Sequence, residues 1–485
     1  MQPLPTESST ANPENSNAVP PFINARKTLS DLVGKSEISV MADLDGQFIQ
    51  SISENRIFEN ESTGKVDGIT LSESVLAGRS FSRDSHAAMA RTEQAKAQTG
   101  QVLALLLPSI SINANYGTEN SQPSVAIDPV TKIAVASDSH SRTDFSLTVK
   151  QPIFDLPSYL DWRRRGVLEK SRSENFRASD GDAYVSAVNV YLTLLSSRLQ
   201  IDMTRDFESQ LSDLLTYIEK RAAAGAASVA DMNRVVARKQ ATISSRLELE
   251  SAHASAGIDF VRLTNIVPQK IRVPVPDDVG ATLLPLAFEK AVPVALKFNP
   301  EIASLNAELQ AAEMDMSVAK SRYLPRVDAE YTDTYSQHAG GEPSAAGQRD
   351  KRLMVVLNWS LFNGGSDYKG RIERTERRKE LLYRLDDQRR RVIQTLSANY
   401  AILATTRERI SSGYLELKSI SSAADAMSKR MLSGNQSLLD LLDVYDRYLQ
   451  VRSRLVTLHV LEMSTVTQLI RLTLGSPKAA IAMSS

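Results

Sequence analysis

Cysteine is absent from the sequence. That excludes structural disulfides, thiolate metal sites and thiol nucleophiles. It also excludes a lipid-modified N-terminal cysteine, the usual tether of a lipoprotein. Charge of either sign is not in surplus: Lys+Arg and Asp+Glu number 57 each. No basic excess therefore points to a nucleic-acid partner. Long apolar runs are missing too. A membrane-spanning helix needs roughly 18 consecutive apolar residues, and the longest run here is Val102 to Leu107. The opening MQPLPTESSTANPENSNAVPP has neither a charged start nor an apolar core, so it does not read as a secretory signal. The histidines His86, His140, His253, His338 and His459 are scattered without metal-ligand spacing. Gly340-Gly341 and Gly364-Gly365 are followed by no phosphate-cradling pattern. These absences predict no catalytic residues, no metal site and no cofactor.

Proline is missing where most domains would break. None occurs from Ser158 to Val267, nor from Ser344 to Ser476. The run from Ser366 to Ser433 is long enough for one helix of about 100 Å at about 1.5 Å per residue. Such helices need partners along their length. Phe207, Leu211, Leu214 and Ile218 have the 4-3-4 spacing of a coiled-coil seam, and Leu442, Leu449 and Val456 fall seven apart. Turns are expected at Gly225 and Gly434, where glycine accepts a left-handed backbone.

The chain also repeats itself. GITLSESVLAG opens one copy at Gly68 and GATLLPLAFEKAV the other at Gly280. Phe154, Tyr191, Arg221, Gly225 and Asp231 recur as Phe362, Tyr400, Arg430, Gly434 and Asp440, at a nearly constant offset. Duplication orders the chain as follows. Residues 1–66, rich in Ser, Asn, Glu and Pro, read as a disordered segment. Residues 67–266 form the first repeat, with a β-hairpin at 108–153. Residues 267–279 are a proline-bearing linker. Residues 280–476 form the second repeat, with a β-hairpin at 325–362, and 477–485 are a tail.

Four segments alternate with a period of two. Ile110, Ile112, Ala114 and Tyr116 oppose serines and asparagines. Phe145, Leu147 and Val149 oppose Asp144, Ser146, Thr148 and Lys150. Val327, Ala329 and Tyr331 oppose Arg326, Asp328, Glu330 and Thr332. Leu353, Val355, Leu357, Trp359 and Leu361 share a face. One lipid-facing side and one wet side is the pattern of a transmembrane β-barrel. Tyr116, Tyr331, Trp359 and Phe362, near the expected strand ends, are candidates for an interfacial aromatic girdle. Long polar loops, 118–142 and 334–350, are expected to close the two hairpins. A soluble sheet with one wet face gives the same alternation. Four strands are too few to close a membrane barrel, and an open edge in lipid leaves backbone groups unpaired. A membrane reading therefore requires a homo-oligomer, and three chains supply twelve strands. The fold class expected is mainly α with a transmembrane β-barrel part and two internal repeats of long antiparallel helical hairpins.

In this order, Leu107-Pro108 and Leu324-Pro325, QPIFD (151–155) and WSLFNGG (359–365), GAASVAD (225–231) and GNQSLLDLLD (434–443) resemble the TolC family of outer-membrane channels over about residues 68–476. The resemblance implies a homotrimer in outer-membrane lipid, with a helical tube extending into the periplasm. It implies a periplasmic adaptor (membrane fusion) protein and an inner-membrane transporter as partners. The first copy departs from it with SRDSHAAM, where the second has FNPEIASL. Asp440 and Asp443, three residues apart on one helical face, fall where the family narrows its tube. They are candidate gate residues, with Asp231 the equivalent of Asp440 in the first copy. On the bland reading, Asp443 pairs with Arg447 on a solvated face. Gly225 with Ser228, and Gly434 with Ser437, are candidate adaptor-contacting tips, or else ordinary tight turns. Arg163, Arg164 and Arg165 read as a solvated or snorkelling charge run. The function expected is passive export, with type I secretion favoured over drug efflux on GNQSLLDLLD. The alternative is a soluble coiled-coil scaffold.

Overall fold

The computed structural model describes residues 68–475 apart from 121–129, 131, 133–138, 269, 275, 281–283, 285–286, 340–346 and 433–436. The expectations for residues 1–66, for the tail and for Gly434 lie outside the described residues. The elements in chain order are α1 (Leu71–Phe81), α2 (Arg83–Ala104), β1 (Ser109–Glu119), β2 (His140–Phe154), α3 (Leu156–Ala223) and α4 (Val229–Thr264). After a 3-10 turn at Pro276–Val279 come α5 (Phe288–Phe298), α6 (Pro300–Ser321), β3 (Arg326–Gln337), β4 (Gln348–Asn358), α7 (Ser366–Leu432) and α8 (Leu438–Leu474). The order repeats as helix pair, β-hairpin, long helical hairpin. The proline-free stretches became helices of 68 and 67 residues, α3 and α7.

Local chemistry sets the ends of these elements. Thr70 and Glu73 form a capping box at α1, each side chain accepting the other's backbone N–H, at 3.2 and 2.9 Å. Asp155 caps α3: its carboxylate accepts the backbone N–H of Ser158 at 3.0 Å and its hydroxyl at 2.8 Å. Pro300 opens α6 at the position where a missing N–H costs nothing. The motifs SRDSHAAM and FNPEIASL therefore both mark breaks between paired helices, α1–α2 and α5–α6.

The chain divides into two compact units that each draw on both repeats. One comprises residues 86–176 and 300–389 and carries the sheet. The sheet is antiparallel throughout, in the order β1-β2-β3-β4. Its strands are longer than the alternation alone suggests: β1 reaches Glu119, β3 reaches Gln337 and β4 starts at Gln348. The connections shorten accordingly. β4 ends at Asn358, so Trp359 and Phe362 follow the strand rather than close it.

The other unit comprises residues 68–85, 177–299 and 390–475. Its helices pack by the predicted seams: Phe207, Leu211 and Ile218 of α3 and Leu442 and Val456 of α8 are all buried. The repeat landmark Tyr191 is fully buried, and its hydroxyl lies 2.9 Å from the carbonyl of Ile69. Ile69 in turn bridges to Ile271, so the start of the first copy is tied to the linker between copies.

Candidate functional site

The register decides which side chains share a face of the sheet. Ile110 lies opposite Val149, Val149 opposite Tyr331, and Tyr331 opposite Leu353. Alternation then puts all four apolar sets on one side. Those of the outer strands are open, Ile110 at 70%, Leu353 at 78% and Val355 at 71%, while Leu147, Val149 and Tyr331 of the inner strands are half-buried. A soluble protein rarely leaves so continuous an apolar face uncovered. Both outer strands, β1 and β4, are unpaired along one edge among the described residues.

The girdle candidates divide. Tyr116, near the end of β1, is 81% exposed, and Phe362 just beyond β4 is 84% exposed. Trp359 is exposed, and its indole N–H donates to the carbonyl of Tyr323 at 3.1 Å. Tyr331 is not at a strand end; it sits in the middle of β3. The reason lies two residues on. Asp333 is on the same face and pairs with Arg349 at 2.6 Å and Lys351 at 4.0 Å. β3 continues past Tyr331, where Asp333 interrupts its apolar face before Tyr335, opposite Phe145.

The opposite face is mostly polar: Ser111, Thr148, Thr332 and Arg352 form one row, and Asn113, Ser146, Thr334 and Asp350 the next, with Met354 and Val356 of β4 its apolar members opposite Glu330 and Asp328. Its helix-proximal end holds a cluster that the sequence did not reveal. Asp328, fully buried, pairs with Lys150 at 3.2 Å and Arg326 at 2.9 Å. Arg326 also reaches the Asp155 cap of α3 at 3.2 Å. Two carboxylates and two cations balance, so neither buried acid is left uncompensated. The cluster joins three residues of the sheet to the start of a long helix. The Asp of QPIFD was its one visible signal.

At the far end of the long helices, α3, α4, α7 and α8 meet in an apolar cluster that includes Leu211, Ile218, Val235, Met431, Leu441 and Tyr445. The turn from α3 to α4 is closed by two backbone bonds, Ala226 N–H to Arg221 carbonyl at 2.8 Å and Gly225 N–H to Ala222 carbonyl at 2.9 Å. This arrangement needs a positive φ at its hinge, and Gly225 supplies +71°. Ser228 then caps α4 by accepting the Asp231 N–H at 3.1 Å. Its own hydroxyl donates to the Asp231 carboxylate at 2.9 Å, and Arg234 adds an ion pair at 3.1 Å. Asp231 is thus engaged within its own helix. Ser437 caps α8 through its backbone only, with no side-chain bond.

Asp440 and Asp443 are both exposed on the first turns of α8. Asp443 pairs with Arg447 at 3.0 Å, the bland partner foreseen for it. A further acid, Asp446, reaches across instead. It accepts from the Arg238 Nε of α4 at 2.8 Å. Burial pushes the Asp446 carboxyl up, Arg238 pulls it back down, and Asp443 adds to the rise. No sequence signal pairs residues 208 positions apart. Arg238→Ala strands a half-buried acid, at a cost of about 1–3 kcal/mol. Faster amide exchange is expected over residues 438–446, with little change near Tyr191; uniform exchange shows that the pair does not hold the tip.

Higher up the same hairpin, His459 of α8 is buried and shares a 3.0 Å hydrogen bond with the Tyr414 hydroxyl of α7. Glu462 lies 3.8 Å from its other ring nitrogen and is itself paired with Arg407 at 2.9 Å. Burial lowers the His459 pKa below 6.5, with Glu462 opposing. His253, half-buried against α3, is lowered in the same direction by burial and by Arg198. The folded chain therefore binds fewer protons than the unfolded chain once the pH drops below 6.5. Stability from these groups is complete above that value and declines beneath it. Thermal midpoints are expected to fall between pH 7.5 and 5.5, and by less in His459→Gln. An equal fall in both proteins assigns the acid sensitivity elsewhere.

Among the described residues, no group of three or more His, Asp or Glu side chains is placed to hold a metal ion, and no helix is long and apolar enough to cross a membrane. The lipid-facing candidate is the sheet.

Comparison with known proteins agrees with this geometry. The family described as "Outer membrane efflux protein" matches residues 80–267 and 291–473. The "Alkaline protease secretion protein AprF" of Pseudomonas aeruginosa is 23% identical over 350 residues, 70% of this chain and 71% of its own length. Among solved structures, CusC superposes with a TM-score of 0.72 at 13% identity, covering 86% of this chain and 95% of CusC. The Campylobacter jejuni CmeC outer membrane channel gives 0.69 at 15% identity, covering 87% and 90%. The outer-membrane channel OprN gives 0.68 at 19% identity, covering 84% and 90%. Long helical hairpins joined to one four-stranded sheet are the fold they share. With the family match spanning most of its length, from the first helix pair to the end of α8, the chain belongs to the outer membrane efflux protein family.

Proposed function

We propose that the chain is one protomer of a homotrimeric exit duct, conducting cargo passively across the outer membrane and periplasm. The observation that carries this is the sheet: an uncovered apolar face, a polar face and two open edges. Three such sheets joined edge to edge pair every backbone group and turn the polar faces inward around water. The long hairpins continue the duct inward. Work is supplied from outside the chain, by an inner-membrane transporter coupled through a periplasmic adaptor. The tips at Gly225–Ser228 and Gly434–Ser437 are the adaptor contacts in this reading. Asp440, Asp443 and Asp231 stand at the gate. The gate opens when the α7–α8 hairpin swings outward at its tip, which requires Arg238 to release Asp446.

For cargo, type I protein secretion is the better fit. The motive is GNQSLLDLLD at the tip together with the likeness to a protein named for alkaline protease secretion. Deleting the gene tests it. Loss of a secreted protein from the medium at unchanged drug sensitivity is expected; increased drug sensitivity with an intact set of secreted proteins points to efflux. A soluble coiled-coil scaffold explains the helices but leaves the apolar face unaccounted for. Extraction by salt without detergent favours it.

A further inference from the structure

The run Arg163-Arg164-Arg165 is uniform in sequence and divided in the structure. Arg164 pairs with Asp315 at 3.3 Å and with Asp161 on its own helix. Arg165 lies against Asp161 at 3.9 Å and donates to Gln98 at 3.3 Å. Arg163 is exposed and makes no ion pair among the described residues. Other cations of the same unit share that condition, among them Arg322, just before the Leu324-Pro325 entry to β3, and Lys369 and Arg371 in the first turns of α7. Arg322 lies four residues before β3 and Arg163 nine residues after β2; Lys369 and Arg371 follow β4 across the 359–365 connection, in the first two turns of α7.

The neighbouring surface is apolar and uncovered. Leu107, Ile153, Leu361 and Phe362 are 54%, 62%, 77% and 84% exposed. Asp155 and Asp161 are already paired, and among the described residues no ion pair joins Asp367 to Arg371 or Glu373 to Lys369, four residues apart in each case. An apolar band ending in unpaired cations on long stems matches a bilayer boundary, where stems lie along hydrocarbon and charged heads meet phosphate.

We propose that Arg163, Arg322, Lys369 and Arg371 form a cationic collar that binds the phosphates of anionic glycerophospholipids in the leaflet facing the helices. The proposal rests on the membrane reading of the sheet and adds a headgroup preference to it. Charge complementarity selects this occupant: the collar borders the lipid-facing side, and no ion pair engages its cations among the described residues. Arginine offers a phosphate two parallel N–H donors, which a zwitterionic headgroup meets only in competition with its own ammonium.

The test uses full-length protein in vesicles of mixed phosphatidylglycerol and phosphatidylcholine, with spin-labelled lipid reporting occupancy of the protein surface. The wild type is expected to prefer phosphatidylglycerol by about fivefold or more, the factor that one cation near an anionic surface contributes. R163Q/R322Q/K369Q/R371Q is expected to bring the two lipids close to parity while still inserting and conducting. An equal preference in wild type and variant overturns the collar and leaves the duct standing. Equal lipid preference combined with lost adaptor binding in the variant overturns it in favour of a protein-contacting surface. Failure of the wild type to insert removes the membrane reading and the collar together.

Discussion

Val355→Arg is expected to keep the protein out of the outer membrane. Val355 sits mid-strand in β4, opposite Ala329, on the face it shares with Leu353 and Leu357. It is 71% exposed among the described residues. Arginine on the lipid face of a barrel costs about 2–4 kcal/mol near the midplane. A trimer carries the substitution three times, so the assembled penalty is about 6–12 kcal/mol, comparable with the whole stability of an ordinary domain. Ser146→Arg is the matched control. Ser146 lies in the row with Asn113, Thr334 and Asp350 on the polar face, where an arginine meets water and an acid. Fractionated membranes should therefore lose the first variant and retain the second. Equal recovery of both assigns the apolar face to a protein contact instead of lipid.

The double variant Asp440→Asn/Asp443→Asn is expected to reverse the ion preference of the duct. Asp443 is paired with Arg447 in each chain. With Asp446 held by Arg238 of α4, the exposed side of the first turns of α8 presents two acids and one base, a net negative charge that three chains multiply. Removing both acids leaves Arg447 alone and makes the same ring positive. A ring of charge at a constriction selects the opposite ion. The reversal potential across a salt gradient should change sign, from cation-preferring to anion-preferring. Reversal potentials that stay the same in the variant place the constriction elsewhere. The sequence suggests a single question about Asp443, gate acid or surface ion pair. The structure shows the two are compatible, because the pair lies within one exposed helical face.

Much of the fold was legible because its elements are long and simply patterned. The proline-free run 366–433 marked α7 almost to the residue, and the seam residues marked α3 and α8 without their ends, since such helices bury a continuous stripe along their length. Alternation gave the four strands, but it failed at their ends. The β4 segment Gln348–Lys351 is polar on both faces, and beyond Tyr331 the end of β3 has only Tyr335 among polar residues, so no period of two marks them. Cross-strand ion pairs such as Asp333–Arg349 carry those ends instead. The placement of Tyr331 followed from that error. Candidate site residues were less legible. Arg238 with Asp446, and Asp155 with Arg326 and Asp328, are pairings between distant elements, and neither spacing nor composition encodes them. The division of Arg163 from Arg164 and Arg165 likewise depends on which acids α6 brings alongside α3.

The central claim is that this chain closes, in threefold, into a water-filled passage through lipid. A lone four-stranded sheet with two open edges cannot conduct ions, so current is a direct readout of closure. Purified protein added to one side of a planar lipid bilayer is predicted to give discrete, uniform, cation-preferring steps. A bilayer that stays silent, with protein that remains soluble and monomeric without detergent, contradicts the account and favours the scaffold.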